Sequence, residues 1–246
     1  MSALEPPYGA RDSGEMAARI AGLSAQIEEA LQRLARDPWH PPLAGPALLA
    51  VGGLGGSAIA GDLTAGLYGD RMPRPLVVVR DYRWPAWVGK DALALLSSYS
   101  GGTEETLALY REAGGRGIPR LAMTSGGMLG RLCTRDGVGV HLLPGGAPPR
   151  AALFSSWVAL TALIHALGWA DDPAPLWREA AALLRSLDGE LAPGAPEERN
   201  PAKRLARSLH GKLVLVYSGT ERIAPVALRV RQQLNENAKL PGHSAA

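Results

Sequence analysis

Strand-like and helix-like segments alternate through the middle of this chain, and that alternation limits the possible folds more than any other feature. Short apolar runs predict strands, and segments with helical spacing follow most of them. Strands joined by helical connections run parallel to one another, because the helix returns the chain to the same edge of the sheet. We therefore predict an α/β fold with a doubly wound, parallel five-stranded sheet flanked by helices, with strands at 47–52, 76–80, 92–97, 119–123 and 138–143 and helices near 57–68, 103–114 and 127–133.

The segments on either side of this region have a different pattern. Residues 14–36 carry apolar side chains at every third or fourth position, which predicts an N-terminal helix before a proline-rich link. After residue 150 the pattern is mostly helical, and only 212–217 predicts a strong strand. One strand cannot form a sheet. We expect an N-terminal helix and link over 1–44, a first domain over 45–149, and an incomplete, mostly helical second domain over 150–246.

Composition indicates an ordinary globular chain, with 46% hydrophobic and 20% charged residues. The net charge of +3 is dispersed and only 5% of residues are aromatic, so we expect no nucleic-acid partner. No apolar run reaches the roughly 18 residues that a membrane span requires, and the first residues lack a secretory pattern. The single cysteine, Cys133, permits no internal disulfide and fits a cytoplasmic location. Together with five scattered histidines, it offers no metal-ligand spacing.

The connection after the third predicted strand is rich in hydroxyls and glycines. Ser98, Ser100 and Thr103 offer hydroxyl groups, while Gly101 and Gly102 let the backbone close around a ligand. A predicted helix begins directly after them, and its unpaired N–H groups and positive dipole end attract phosphate. The alternative is that Thr103 only caps this helix.

A loop of the same kind follows the first predicted strand and contains Gly56 and Ser57. Parallel strands place both loops at the carboxyl edge of the sheet, where ligands bind, so we predict that the two loops hold one phosphoryl group. A rival interpretation is an NAD(P)-dependent enzyme. Residues 53–58 also satisfy the dinucleotide-binding pattern G-x-G-x-x-A, and Asp81 could serve as the acidic partner of a ribose. That site would not need the second hydroxyl loop.

Four motifs occur in one order along the chain: Gly-Gly-Ser-Ala-Ile-Ala-Gly-Asp at 55–62, Ser-Tyr-Ser-Gly-Gly-Thr-Glu-Glu-Thr at 98–106, Thr-Ser-Gly-Gly at 124–127 and Asn-Glu-Asn-Ala-Lys at 235–239. Together they resemble the bifunctional phosphoglucose/phosphomannose isomerases, a branch of the sugar isomerase (SIS) domain superfamily. The resemblance implies an enzyme that interconverts glucose 6-phosphate or mannose 6-phosphate with fructose 6-phosphate through a cis-enediol. It also implies a cytoplasmic homodimer that uses no metal or cofactor.

The resemblance further implies roles for individual residues. Glu236 matches the family's proton-transferring base, and Arg150 matches the arginine that stabilises the enediolate. On spacing alone, Glu236 would be a polar residue on the exposed face of an amphipathic helix, and Arg150 could form a surface salt bridge. The positions that match the family's phosphate-binding loops are Gly56, Ser57, Ser98, Ser100, Gly101 and Thr103.

Two departures from the family pattern bear on catalysis. Gly102 stands where the family usually has asparagine, which removes one side-chain hydrogen bond from the second loop. The family's ring-opening histidine has no match here, because His243 does not occupy its position and we expect that histidine beyond residue 246 or from a neighbouring subunit. These departures favour a third alternative, a module that binds sugar phosphates without turning them over.

Overall fold

The computed structural model describes residues 4–246, and its central element is a five-stranded sheet. The strand order is β2-β1-β3-β4-β5, and every neighbouring pair is parallel. This confirms the predicted doubly wound sheet, because each strand is a short apolar segment separated from the next by a connection long enough to cross over. The strands are β1 (Leu48–Gly52), β2 (Leu76–Val79), β3 (Ala92–Ser97), β4 (Arg120–Thr124) and β5 (Val140–Leu142).

Helices cover both faces of this sheet. On one face, α4 (Glu104–Arg116) and α5 (Gly127–Asp136) pack against the strands. On the opposite face lies α3 (Gly55–Tyr68). Residues of β3 are buried on both sides, with Leu93 and Leu95 facing the α3 side and Leu96 facing the α4 side. A continuous apolar strand is typical of a parallel sheet with two covered faces.

The α3 face is thickened by four further helices. They are α1 (Met16–Ala21), α2 (Leu23–Arg36), α6 (Leu153–Ala166) and α7 (Ala174–Leu191). The single helix predicted over 14–36 is interrupted at Gly22, which ends α1, since glycine is a poor helix former. Both α6 and α7 contribute to the same core as β1 and β3, so the chain after residue 150 begins with helices that pack on the first sheet. The domain boundary stays a prediction.

The remaining elements complete the C-terminal part of the chain, whose last α-helix packs against α3. They are α8 (Pro201–Leu209), β6 (Val214–Tyr217), α9 (Ala224–Gln233), a π-helical turn (Leu234–Ala238) and β7 (Gly242–Ala245). The sequence predicted only β6, but β7 pairs with it in parallel, Val214 opposite Gly242. Gly-His-Ser-Ala lacks the β-branched and aromatic residues that identify a strand, so β7 depends on its partner. Within residues 4–246, no helix is long and apolar enough to cross a membrane.

Candidate active site

The two hydroxyl loops lie next to each other because they follow neighbouring strands. Gly52 at the end of β1 is in register with Leu96 near the end of β3. The chain leaves β1 toward α3 on one face and leaves β3 toward α4 on the other. A crevice opens where the connections diverge in this way, and in sheets of this strand order it is the usual ligand site.

A serine of the first loop is bonded directly to the second loop. The Tyr99 backbone N–H donates to Ser57 Oγ at 3.0 Å, and Ser97 Oγ donates to the Ser57 carbonyl oxygen at 2.8 Å. Gly53 lets the loops approach this closely, since a Cβ there would lie 2.6 Å from the Ser97 carbonyl oxygen. The structure therefore brings Ser57 against the segment containing Ser98, Ser100 and Thr103, and the predicted residues form one cluster.

Hydroxyls in the second loop face each other rather than the helix backbone. Ser98 Oγ and Thr103 Oγ1 are hydrogen bonded at 2.9 Å, and Ser98 is only 1% exposed. Thr103 occupies the N-cap position of α4, but its side chain makes no capping hydrogen bond. The first backbone N–H groups of α4, those of Glu104 and Glu105, donate no hydrogen bond to any described residue. These open donors favour an anion site over the alternative in which Thr103 only caps the helix.

A third loop, residues 124–127, holds the second loop in place. Tyr99 offers its carbonyl oxygen to both the N–H and the hydroxyl of Ser125, at 2.9 and 2.6 Å. Leu129 N–H donates to the Gly101 carbonyl oxygen at 2.8 Å. This loop is the Thr-Ser-Gly-Gly motif, to which the sequence pattern assigned no role. Its task is structural, because it fixes the backbone on which Ser98, Ser100 and Thr103 stand.

Arg150 reaches the same place from a short 3-10 turn, Pro149–Ala151. A Cβ on Gly56 would lie 3.0 Å from the Pro149 carbonyl oxygen and 3.3 Å from Arg150 N, so the first loop touches this turn. The Arg150 guanidinium donates from Nε to Asn237 Oδ1 at 2.6 Å. Within residues 4–246, no carboxylate forms a salt bridge with Arg150.

Glu236 stands in the π-helical turn that continues α9 and is half-buried. Its carboxylate makes no hydrogen bond or ion pair with any described residue. The guanidinium of Arg229 lies close enough for the two charges to interact. Burial lowers the pKa of Arg229, and the negative charge of Glu236 partly offsets that effect. The position is thus not the fully exposed helix face that spacing alone would suggest. The next residue, Asn237, contacts the Arg150 guanidinium, and Arg229 Nη2 donates to the Arg150 carbonyl oxygen at 2.5 Å.

The dinucleotide alternative does not match the strand order. In dinucleotide-binding folds the third strand lies beyond the second, whereas here β3 lies beside β1. Asp81, the proposed ribose partner, accepts a hydrogen bond from the N–H of Tyr82 at 2.6 Å.

Comparison with known proteins agrees with this geometry. The chain is 40% identical over 193 residues to a bifunctional phosphoglucose/phosphomannose isomerase from Caldicellulosiruptor bescii, which covers 78% of this chain and 56% of that protein. It is 33% identical over 192 residues to a protein of the same name from Aquifex aeolicus, with the same coverage of 78% and 56%. The chain is a homologue of these isomerases over 78% of its length.

Two further comparisons agree with this family. The profile of the bacterial phospho-glucose isomerase C-terminal SIS domain matches residues 198–246. A crystal structure described as a putative phosphosugar isomerase from Silicibacter pomeroyi superimposes with a TM-score of 0.66 at 18% identity, over 94% of this chain and 70% of that one. That likeness shows the SIS fold alone. The chain spans just over half the length of the two isomerases that it matches.

The described histidines make contacts with residues other than those of the cluster. His141 is buried beside Trp39, with ring centroids 5.2 Å apart, and burial lowers the pKa of its imidazole. His165 Nδ1 contacts the Ala170 carbonyl oxygen at 3.0 Å, and His243 is exposed on β7. Within residues 4–246, no hydrogen bond joins a histidine to Glu236, Arg150 or the hydroxyl loops. Contacts in the chain therefore identify no ring-opening group.

Proposed function

We propose that this chain acts as a sugar-phosphate aldose–ketose isomerase, interconverting glucose 6-phosphate or mannose 6-phosphate with fructose 6-phosphate. One observation carries the proposal: two hydroxyl loops, Arg150 and the turn containing Glu236 converge at the crevice between β1 and β3. A phosphate anchor, a cation and a carboxylate are what an enediol mechanism requires. The names of the relatives support the substrate class.

The phosphate of the sugar would bind between the loops. Hydroxyls of Ser57, Ser98, Ser100 and Thr103 supply hydrogen-bond donors, and Gly56 and Gly101 let the neighbouring loops pack closely around the anion site. The N-termini of α3 and α4 both point at this position, and each helix dipole favours negative charge there. The reacting end of the sugar would then extend toward Arg150 and Glu236.

Proton transfer would be the task of Glu236. Starting from fructose 6-phosphate, its carboxylate removes a proton from C1, and the electron pair of that C–H bond becomes the C1–C2 double bond. Negative charge moves to the C2 oxygen, where the Arg150 guanidinium stabilises it. Glu236 then returns the proton to C2 while the proton of the C1 hydroxyl passes to the C2 oxygen, so that an aldehyde forms at C1 and a hydroxyl at C2. Side chains alone carry these steps, so we expect no metal or cofactor.

A coupled assay tests this function. Glucose 6-phosphate formed from fructose 6-phosphate is measured with an NADP-dependent dehydrogenase, at several concentrations of this chain. We expect turnover that falls by at least about 100-fold in Glu236→Gln, because the amide cannot accept the proton. Ser57→Ala should raise KM more than it lowers kcat, since Ser57 is assigned to the phosphate and not to the reacting carbons. Turnover that is unchanged in Glu236→Gln would refute the assignment of the base.

The second candidate is a sugar-phosphate-binding module without turnover. It is favoured by the absence of a hydrogen bond between any described histidine and the cluster, and by Gly102, which lacks the usual asparagine side chain. Calorimetric titration separates the two: fructose 6-phosphate binding without turnover at any concentration identifies a binder. Titration with NADH, in the same experiment, tests the dinucleotide alternative, and binding of NADH alone would overturn both phosphosugar functions.

The resemblance also supports proposals about domain organisation, location and oligomeric state. We propose that residues 45–149 and 150–246 represent the first SIS domain and part of a second one, and that the protein is a cytoplasmic homodimer. The match of residues 198–246 to a C-terminal SIS domain supports the second unit. Size-exclusion chromatography with light scattering tests the dimer, and a monomer at micromolar concentration would contradict it.

A further inference from the structure

Arg150 is held at two points by the helix that carries Glu236. Its Nε donates to Asn237 Oδ1 at 2.6 Å, and its carbonyl oxygen accepts from Arg229 Nη2 at 2.5 Å. Asn237 follows Glu236 directly in sequence, and Arg229 stands on the same helix, two turns earlier. The segment that carries the candidate base therefore also fixes the candidate cation, although Arg150 and Asn237 are 87 positions apart.

The backbone around Glu236 has the geometry that makes this coupling possible. At Leu234–Ala238 the helix widens from α to a single π-helical turn, a distortion that is frequent at functional sites. Lys239 ends the turn in the left-handed region, at φ +56°, and its Nζ donates to the Glu236 carbonyl oxygen at 2.7 Å. The widened turn contains Glu236 and Asn237 as consecutive residues, and Asn237 Oδ1 accepts from Arg150 Nε.

Arg229 contributes from the buried side of the same cluster. Its guanidinium is half-buried between α9 and the turn that contains Arg150. Guanidinium groups stay charged in proteins, so Arg229 places a permanent positive charge near Glu236. The amide of Gln233 lies between Arg229 and Asn237 and contacts the Arg150 carbonyl oxygen as well.

We infer that Asn237 and Arg229 are positioning residues, which orient the Arg150 guanidinium toward the oxygens on C1 and C2 while Glu236 faces the carbons. The inference rests on the proposed isomerase function and deepens it. Asn237 sets the direction of the guanidinium, and Arg229 fixes the backbone from which it extends. Neither residue touches the sugar, so each acts through Arg150.

Two ligands separate this role from phosphate binding. Inorganic phosphate occupies only the anion site, whereas a phosphorylated aldonohydroxamate resembles the planar enediolate and requires Arg150 as well. Asn237→Ala should weaken hydroxamate binding about 10- to 100-fold, the range for a lost hydrogen bond to a charged group, and leave the Kd for phosphate unchanged. In turnover, kcat should fall by a similar factor while KM changes less than about twofold.

Matched variants control for unfolding and for general surface effects. Asn235→Ala removes the same side chain two positions away, where it makes no hydrogen bond to Arg150, and should behave like the wild type. Asn237→Asp keeps an acceptor for Nε and should retain hydroxamate binding within about threefold. A double-mutant cycle completes the test: in an Arg150→Ala background, Asn237→Ala should have no further effect.

The possible failures are distinguishable. If the wild type binds neither phosphate nor hydroxamate, the proposed function fails and the inference fails with it. If the wild type binds both and Asn237→Ala binds the hydroxamate equally well, only the positioning role is refuted. An equal loss in the Arg150→Ala background would also refute it, because Asn237 would then act without Arg150.

Discussion

Gly101 is the residue on which the shape of the second loop depends most directly. Its φ is +65°, and a Cβ at this position would lie 1.9 Å from the Gly126 carbonyl oxygen. Ordinary contact begins near 3.4 Å, so Gly101→Ala requires a displacement of about 1.5 Å between the second and third loops. The left-handed conformation costs alanine about 1–2 kcal/mol, and overpacking of this kind costs about 1–3 kcal/mol.

We therefore predict that Gly101→Ala lowers the free energy of unfolding by about 2–5 kcal/mol, measured by urea denaturation. The same shift moves the hydroxyls of Ser98 and Thr103 apart, so the Kd for inorganic phosphate should rise at least about tenfold by calorimetry. Gly102→Ala is the matched control. A Cβ there meets only Ser100 Oγ, at 3.8 Å, and the cost should stay within about 0.5 kcal/mol. Wild-type stability and phosphate affinity in Gly101→Ala would refute this reasoning.

Two other predictions concern the support of the site and the sheet. Gln26→Leu should destabilise the protein by about 2–3 kcal/mol in urea, because Gln26 Oε1 accepts from Phe154 N at 2.9 Å and Nε2 donates to the Ala151 carbonyl oxygen at 2.8 Å. A loss below about 0.5 kcal/mol would contradict that role. A hydrogen bond from Arg135 holds the pKa of Asp136 down to about 2, so its stabilisation is present above the ordinary value of 3.8 and is lost as pH falls through 2. The stability difference between wild type and Asp136→Asn should therefore shrink over that interval in acid denaturation, and a difference independent of pH would contradict the linkage.

Most of the fold could be predicted from local pattern. Five apolar segments separated by helical periodicity require a parallel sheet, and all five strands form where the sequence indicates them. The closeness of Ser57 to the second loop could be predicted as well, because loops that follow parallel neighbours share one edge. Two local predictions were wrong. Gly22 divides the N-terminal helix, and β7 forms although residues 242–245 carry no strand signal.

Sequence by itself therefore determined the sheet and the two loops at its carboxyl edge, since periodicity, glycines and hydroxyls act over a few residues. Tertiary structure decided which distant residues complete the site. Packing of α9 against α3 brings Asn237 to Arg150. The contacts that Gln26 and Arg229 make could not be predicted from any spacing in the sequence. Such contacts depend on the free energy of burying whole helix faces against one another, and that energy is a property of the folded chain rather than of any one segment.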